Sequence, residues 1–179
     1  MKYLQAVVAE GLKDAAPDRH KIEFRTDVKG VTTAWCVLDE KDDLLAVARF
    51  LAEGSARLST ITAYSTEKAK RTGNFEIAYH FDLDGDTLTV SVHVPPDGEV
   101  DSITSLFDNA DWPEREMAEL YGIKLRGHPH PERLFIDESL GDAVFDQYIP
   151  YSTMVNAATT KGLWEKVIAK GKGKGEGTP

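Results

Sequence analysis

The stretch FEIAYHFDLDGDTLTVSVHV, from Phe75 to Val94, decides the architecture. Phe75, Ile77, Tyr79 and Phe81 alternate with Glu76, Ala78, His80 and Asp82, the period of two that marks a half-buried strand. Asp84-Gly85 supplies a two-residue primed turn, in which glycine tolerates positive φ. Leu88, Val90, Val92 and Val94 then alternate with Thr89, Ser91 and His93. With the turn at Asp84-Gly85, Phe81 faces Leu88, Tyr79 faces Val90, Ile77 faces Val92 and Phe75 faces Val94. Every apolar residue then lies on one face, and a slip of one residue would invert the pattern. In the same register His93 opposes Glu76, a cross-strand charge pair of minor energetic weight.

Outward from this hairpin the chain alternates helices and strands. Leu4, Val7, Val8 and Leu12 recur at helical spacing, so residues 2–15 read as an amphipathic helix ending before Pro17. Ile22–Thr26, Val31–Leu38 and Leu58–Tyr64 read as strands, the second as a central one because it holds a run of bulky apolar residues. Asp42–Glu53 reads as a helix stopped by Gly54. Pro95-Pro96 ends the hairpin, and short helices are expected around Asp101–Phe107 and Pro113–Tyr121. A last helix is expected near Ser152–Ala169, followed by a flexible Gly/Lys-rich tail. The class is α+β: a mostly antiparallel sheet with helices packed on one face, plus an extended C-terminal arm. The expected division is a domain over residues 1–150 and a C-terminal helix and tail over 151–179.

Composition narrows the function. The 179 residues include 21 Lys and Arg against 30 Asp and Glu, a net charge of −9 that argues against a nucleic-acid partner. Cys36 is the only cysteine, so neither a disulfide nor a thiolate cluster for zinc or iron–sulfur can form within the chain. It sits in the apolar run Ala34–Leu38 and reads as a buried, inert thiol. No apolar stretch approaches the roughly 20 residues that cross a bilayer, and the N-terminus lacks the pattern of a secretory signal. A cytoplasmic location is expected, with membrane contact only through a partner. No Gly-rich phosphate loop and no nucleophile elbow occur.

Residues 111–136 carry the densest pattern, DWPEREMAELYGIKLRGHPHPERLFI. Asp111 and Glu114 have the spacing of a capping box, Pro113 suits the first helical turn, and Gly122 suits a left-handed C′ position. Pro113, Met117, Leu120 and Tyr121 form the expected apolar stripe. Glu114 and Glu116 border it, and Arg115 and Glu119 lie opposite at i, i+4 spacing. Taken alone, this is a short capped helix with solvated charges.

The run Glu114-Arg115-Glu116, Glu119, Gly122-Ile123, Gly127-His128-Pro129 and Arg133-Leu134 resembles the signature of the 30-kilodalton subunit family. That family is shared by respiratory complex I and energy-converting nickel–iron hydrogenases. The resemblance is specific over about 25 residues and departs at Glu132, where the family usually has a basic residue or proline. The family members of respiratory complex I also tend to carry a Tyr-Gly-Phe-Glu-Gly-His-Pro motif soon after. Here Ile136–Asp142 is acidic and unrelated, which tilts the reading toward the hydrogenase branch. The resemblance implies a subunit without redox centres or a catalytic site of its own. Iron–sulfur and nickel–iron or quinone sites are expected in partners, namely the large catalytic subunit and neighbouring iron–sulfur subunits. The residues carried over as a subunit interface are Glu114, Arg115, Glu116, Glu119, Gly122, Gly127, His128, Pro129 and Arg133. On that reading, charge reversal at Glu114 and Glu116 leaves the fold intact and weakens assembly. The same role in a respiratory NADH:quinone oxidoreductase is the nearest alternative. A stand-alone metal-dependent hydrolase using His128, His130 and a carboxylate is the alternative of another class.

Overall fold

The computed structural model describes residues 2–64 and 73–136. The expected C-terminal helix, tail and arm lie outside the described residues. Helix α1 spans Lys2–Ala15, strand β1 His20–Thr26, strand β2 Thr32–Leu38 and helix α2 Leu44–Glu53, entered through a 3-10 turn at Lys41–Asp43. Strands β3 (Arg57–Tyr64), β4 (Phe75–Leu83), β5 (Asp86–Val94) and β6 (Glu99–Asp101) follow. A 3-10 turn at Asp108–Ala110 then leads into helix α3 (Asp111–Tyr121) and strand β7 (Lys124–Arg126).

Five strands form one sheet in the order β1-β2-β5-β4-β3. The hairpin has the expected register: Phe81 pairs with Leu88, Tyr79 with Val90, Ile77 with Val92 and Phe75 with Val94. Glu76 pairs with His93, and their charged groups stand 3.9 Å apart. All sheet pairs are antiparallel except β2 with β5. β2 is therefore interior, but β5 holds the centre. The bulky run in β2 misled because Trp35 faces outward and half-exposed, so β2 alternates like any one-sided strand. Helix α2 is the crossover that carries the chain from β2 to β3 at the far edge. A parallel relation needs such a connection and leaves no local mark in the strands themselves.

The apolar face of the sheet packs against α1 and α2. Val8 and Leu12 of α1 and Leu44, Val47, Ala48 and Leu51 of α2 share one core with Cys36, Tyr79, Phe81, Leu88 and Val90. Val7, read as part of the apolar stripe, is exposed instead. Phe50 lies against Gly11, where a side chain of any size would strike its ring. Cys36 is buried, and desolvation pushes its thiol up to about 12, so it is inert as expected. The opposite face is polar. His80 bridges Thr62 and Thr89 at 3.1 and 3.0 Å, with Trp35 edge-on to its ring.

No helix forms at Asp101–Phe107. Glu99–Asp101 instead pairs in parallel with Lys124–Arg126, and residues 102–107 turn around the start of α3. Arg126 secures this small sheet by bonding Asp101 and Glu99, and it reaches Asp42 in the turn before α2. Asp86 has a related task at long range, its carboxylate accepting the Thr32 N–H at 2.6 Å. That bond ties the start of β2 to the β4–β5 turn. Asp86→Ala is expected to cost about 1–3 kcal/mol, the range for a hydrogen bond to a charged group, and Asp86→Asn less. Urea unfolding of the two variants beside the parent measures this, and equal stability of all three would contradict it.

Candidate functional site

Helix α3 begins without the capping box read from the sequence. The Asp108–Ala110 turn runs directly into it, Ala110 occupies the N-cap position, and no side chain caps it. Asp111 is thus a helical residue, free to pair with Arg115 at 3.8 Å and His130 at 3.2 Å. The far end matches expectation. Gly122 adopts φ 67°, its N–H closes on the Ala118 carbonyl, and Ile123 is buried behind it.

Glu114 is completely buried. Its Oε2 accepts the Ser102 hydroxyl at 2.5 Å and the Thr104 hydroxyl at 2.9 Å, while Oε1 accepts the Ile103 N–H at 2.8 Å. Burial pushes its carboxyl above the ordinary range, against the pull of these three donors and of His128. The His128 side chain is also fully enclosed. Its Nδ1 accepts the His130 backbone N–H at 3.0 Å. Its Nε2 lies 3.5 Å from Asp111 and 3.7 Å from Glu114. A bend with φ 78° at Gly127 sets this inward aim, and Pro129 follows it at the surface.

Arg115 and Glu119, expected to face each other across one turn, instead grip residues 132–136. Arg115 donates to the carbonyls of Glu132 and Arg133, both at 2.9 Å. Glu119 accepts three successive backbone N–H groups, from Leu134 and Phe135 at 2.9 Å and from Ile136 at 2.7 Å. Burial would raise its pKa, but these amides and the Arg133 charge together hold the carboxyl below its usual value. Residues 132–136 become a strap clasped to α3. Of the expected apolar stripe, Met117 is buried and Tyr121 packs edge-on to Phe75, whereas Leu120 is exposed.

The nine residues singled out from sequence are thus collected in one region, but not all on its surface. Glu114 and His128 point inward, Arg115 and Glu119 bind the strap, and Arg133 belongs to it. Glu116, Gly122, Gly127 and Pro129 are exposed. Ser102 and Thr104 were missed. Their only signal was two hydroxyl residues flanking Ile103 shortly before α3. Among the described residues, no group of three or more His, Cys, Asp and Glu is arranged to hold a metal ion. A groove of about 800 Å³ between α1 and α2 is lined by residues such as Glu10, Arg49 and Phe50, and no signature side chain reaches it. Chemically the arrangement is a brace.

The sequence model of the family described as "Respiratory-chain NADH dehydrogenase, 30 Kd subunit" matches residues 37–160. The chain belongs to this family. Among curated relatives, a subunit of the NADH-quinone oxidoreductase of Mesorhizobium japonicum is 33% identical over 102 residues, covering 55% of this chain and 51% of the relative. A subunit of the NAD(P)H-quinone oxidoreductase of Prochlorococcus marinus is 54% identical over 39 residues, covering 22% of each. The match thus spans about half the length of the first relative and a smaller part of the second. A solved structure, described as the membrane-bound sulfane sulfur reductase (MBS), an archaeal respiratory membrane complex, contains a chain of the same fold. Its TM-score is 0.59 at 16% identity, covering 84% of this chain and 89% of that one. Among the described residues no helix is long and apolar enough to cross a membrane.

The buried carboxylate overturns the idea that reversing charge at Glu114 and Glu116 spares the fold. A cation at position 114 would face three donors without solvent, a loss of several kcal/mol. Because folding raises the Glu114 pKa, its contribution to stability is complete below the unfolded value and is lost as pH rises through the folded one. Relative to Glu114→Gln, the parent is therefore expected to gain stability as pH falls through the folded pKa toward the ordinary glutamate value of about 4.3. Denaturant titrations across that range check this, and a flat difference would refute it. Removing the clasp with Glu119→Ala is expected to speed amide exchange at Leu134, Phe135 and Ile136. The local opening energy should fall by about 1 kcal/mol, discounted for exposure. Unchanged exchange at those amides would disprove the clasp.

Proposed function

We propose that this chain is a cofactor-free structural subunit of a membrane-bound, complex I-like oxidoreductase. Within that class we propose an energy-converting nickel–iron hydrogenase, with this chain docked on the large catalytic subunit. The observation that carries the reading is the internal use of the signature. Among the described residues, Glu114, Arg115, Glu119 and His128 shape two loops around α3, and none of them lines the groove between α1 and α2. Residues so arranged hold a surface in shape, and a held surface serves recognition.

The iron–sulfur centres and the nickel–iron site then belong to partner subunits, and the chain reaches the cytoplasmic membrane only through them. Support for the hydrogenase branch is the acidic stretch Ile136–Asp142, which stands where respiratory members of the family tend to carry a glycine-rich motif. A second reading places the chain in a respiratory NADH:quinone oxidoreductase, favoured by the names of its curated relatives.

Isolation of the intact complex from native membranes, through an affinity tag on this chain, separates the readings. A co-purifying large subunit with stoichiometric nickel and hydrogen-dependent dye reduction is the expected result. Flavin with NADH-dependent quinone reduction would establish the second reading. A chain recovered without any oxidoreductase subunit, or turning over a substrate alone, would overturn both.

A further inference from the structure

His128 stands enclosed beside the start of α3, and its two ring nitrogens are placed very differently. Nδ1 accepts the His130 backbone N–H at 3.0 Å. Nε2 is buried and makes no hydrogen bond among the described residues. It is aimed at two carboxylate oxygens, Asp111 Oδ1 at 3.5 Å and Glu114 Oε2 at 3.7 Å. An enclosed polar nitrogen left unpaired costs free energy, so the arrangement is poised, not relaxed. The same Asp111 oxygen is met from the surface by His130 Nδ1 at 3.2 Å, and the two imidazoles stand edge to face.

A proton added to His128 changes both contacts at once. A doubly protonated imidazole donates through both nitrogens, so Nδ1 can no longer accept the His130 N–H. The same charge draws Nε2–H toward Asp111 and Glu114, away from solvent, where charge-assisted bonds are strong. The surrounding charges favour this. Helix α3 turns two carboxylates toward the ring, while its cation Arg115 lies 3.8 Å from the other oxygen of Asp111 and holds the strap. Residues 102–104 offer Glu114 two hydroxyls and an amide, and no charge. On β4 the enclosed Tyr79 phenol is held well above its ordinary range, by desolvation first and then by the Glu114 and Asp101 charges, so it stays neutral. On β7 Arg126 is engaged with Asp101, Glu99 and Asp42, and on the strap Arg133 acts on Glu119. The bend itself can yield. Gly127 holds φ 78° with open space where a side chain would stand, and Pro129 and Pro131 stiffen the chain on either side of His130.

We infer that the bend over residues 127–131 is a proton-operated latch, in which uptake of a proton by His128 exchanges the His130 N–H bond for contacts with Asp111 and Glu114. A charge taken up inside the protein is thereby expressed at its surface, as a shift of His130 and its flanking prolines. The latch is built wholly from this chain's residues and does not depend on which complex holds it.

The test uses the full chain with isotope-labelled histidine rings, titrated by NMR from about pH 8 to about pH 5, the span around the ordinary imidazole value. Amide exchange is followed in parallel and corrected for its intrinsic pH dependence. The His128 ring is expected to gain a proton, and below the same midpoint the His130 amide to exchange about tenfold faster or more. The core amide of Val90 should keep its protection throughout. His128→Gln keeps an acceptor but cannot take up a charge, and is expected to abolish the response. His130→Ala removes the exposed ring but not the amide, and is expected to retain it. A His128 ring that does not titrate in this span overturns the latch, as does an amide at position 130 whose protection ignores the His128 midpoint. A response that survives in His128→Gln or vanishes in His130→Ala overturns it equally. Should His128→Gln fail to fold, the two midpoints of the parent and the behaviour of His130→Ala decide the matter alone.

Discussion

An ionisable carboxylate enclosed in a protein interior must be met by donors, or it costs several kcal/mol. Glu114 meets that condition with two hydroxyls and one amide, all from residues 102–104. Those three residues cannot take up a helix of their own while wrapped around it, which is why α3 is preceded by turns. The same carboxylate, with Asp111, stands beside the enclosed Nε2 of His128, where the chain after β7 returns to the start of the helix; that nitrogen makes no hydrogen bond among the described residues. One buried charge thereby sets the relation of a loop, a helix and a bend far apart in the chain.

From that anchor the rest of the region follows by helix geometry. With Glu114 inward, residues one and five positions later project to the side, where Arg115 and Glu119 meet the strap's carbonyls and amides. Residues two positions before, two after and six after project outward as Trp112, Glu116 and Leu120. Charges that would be interchangeable on a solvated helix thus acquire different work according to a rotation of about 100° per residue. The low pKa of Glu119 and the raised pKa of Glu114 express the same distinction: successive backbone donors prevail at one, desolvation at the other.

The sheet supplies the platform. Its apolar face holds α1 and α2 through the core, and Arg126 joins the small β6–β7 sheet to the turn before α2, so the region around α3 is built on two independent attachments. Rigidity of this kind suits the docking role proposed for the chain. Family membership agrees with such a role.

Much of this was legible in the residue order alone. The β4–β5 hairpin, the helices at 2–15 and 42–53, the inert Cys36 and the left-handed Gly122 all follow from local rules. A period of two, a turn dipeptide or a glycine after an apolar residue constrains its own neighbourhood. The family, too, was readable from fixed spacings within about 25 residues. The parallel contact of β2 with β5, the central place of β5, the absence of a helix at 101–107 and the burial of Glu114 were not. Each depends on what stands opposite a residue across a long stretch of chain. A glutamate enclosed by Ser102, Ile103 and Thr104 is written with the same letter as one in water, and only tertiary packing decides which it is.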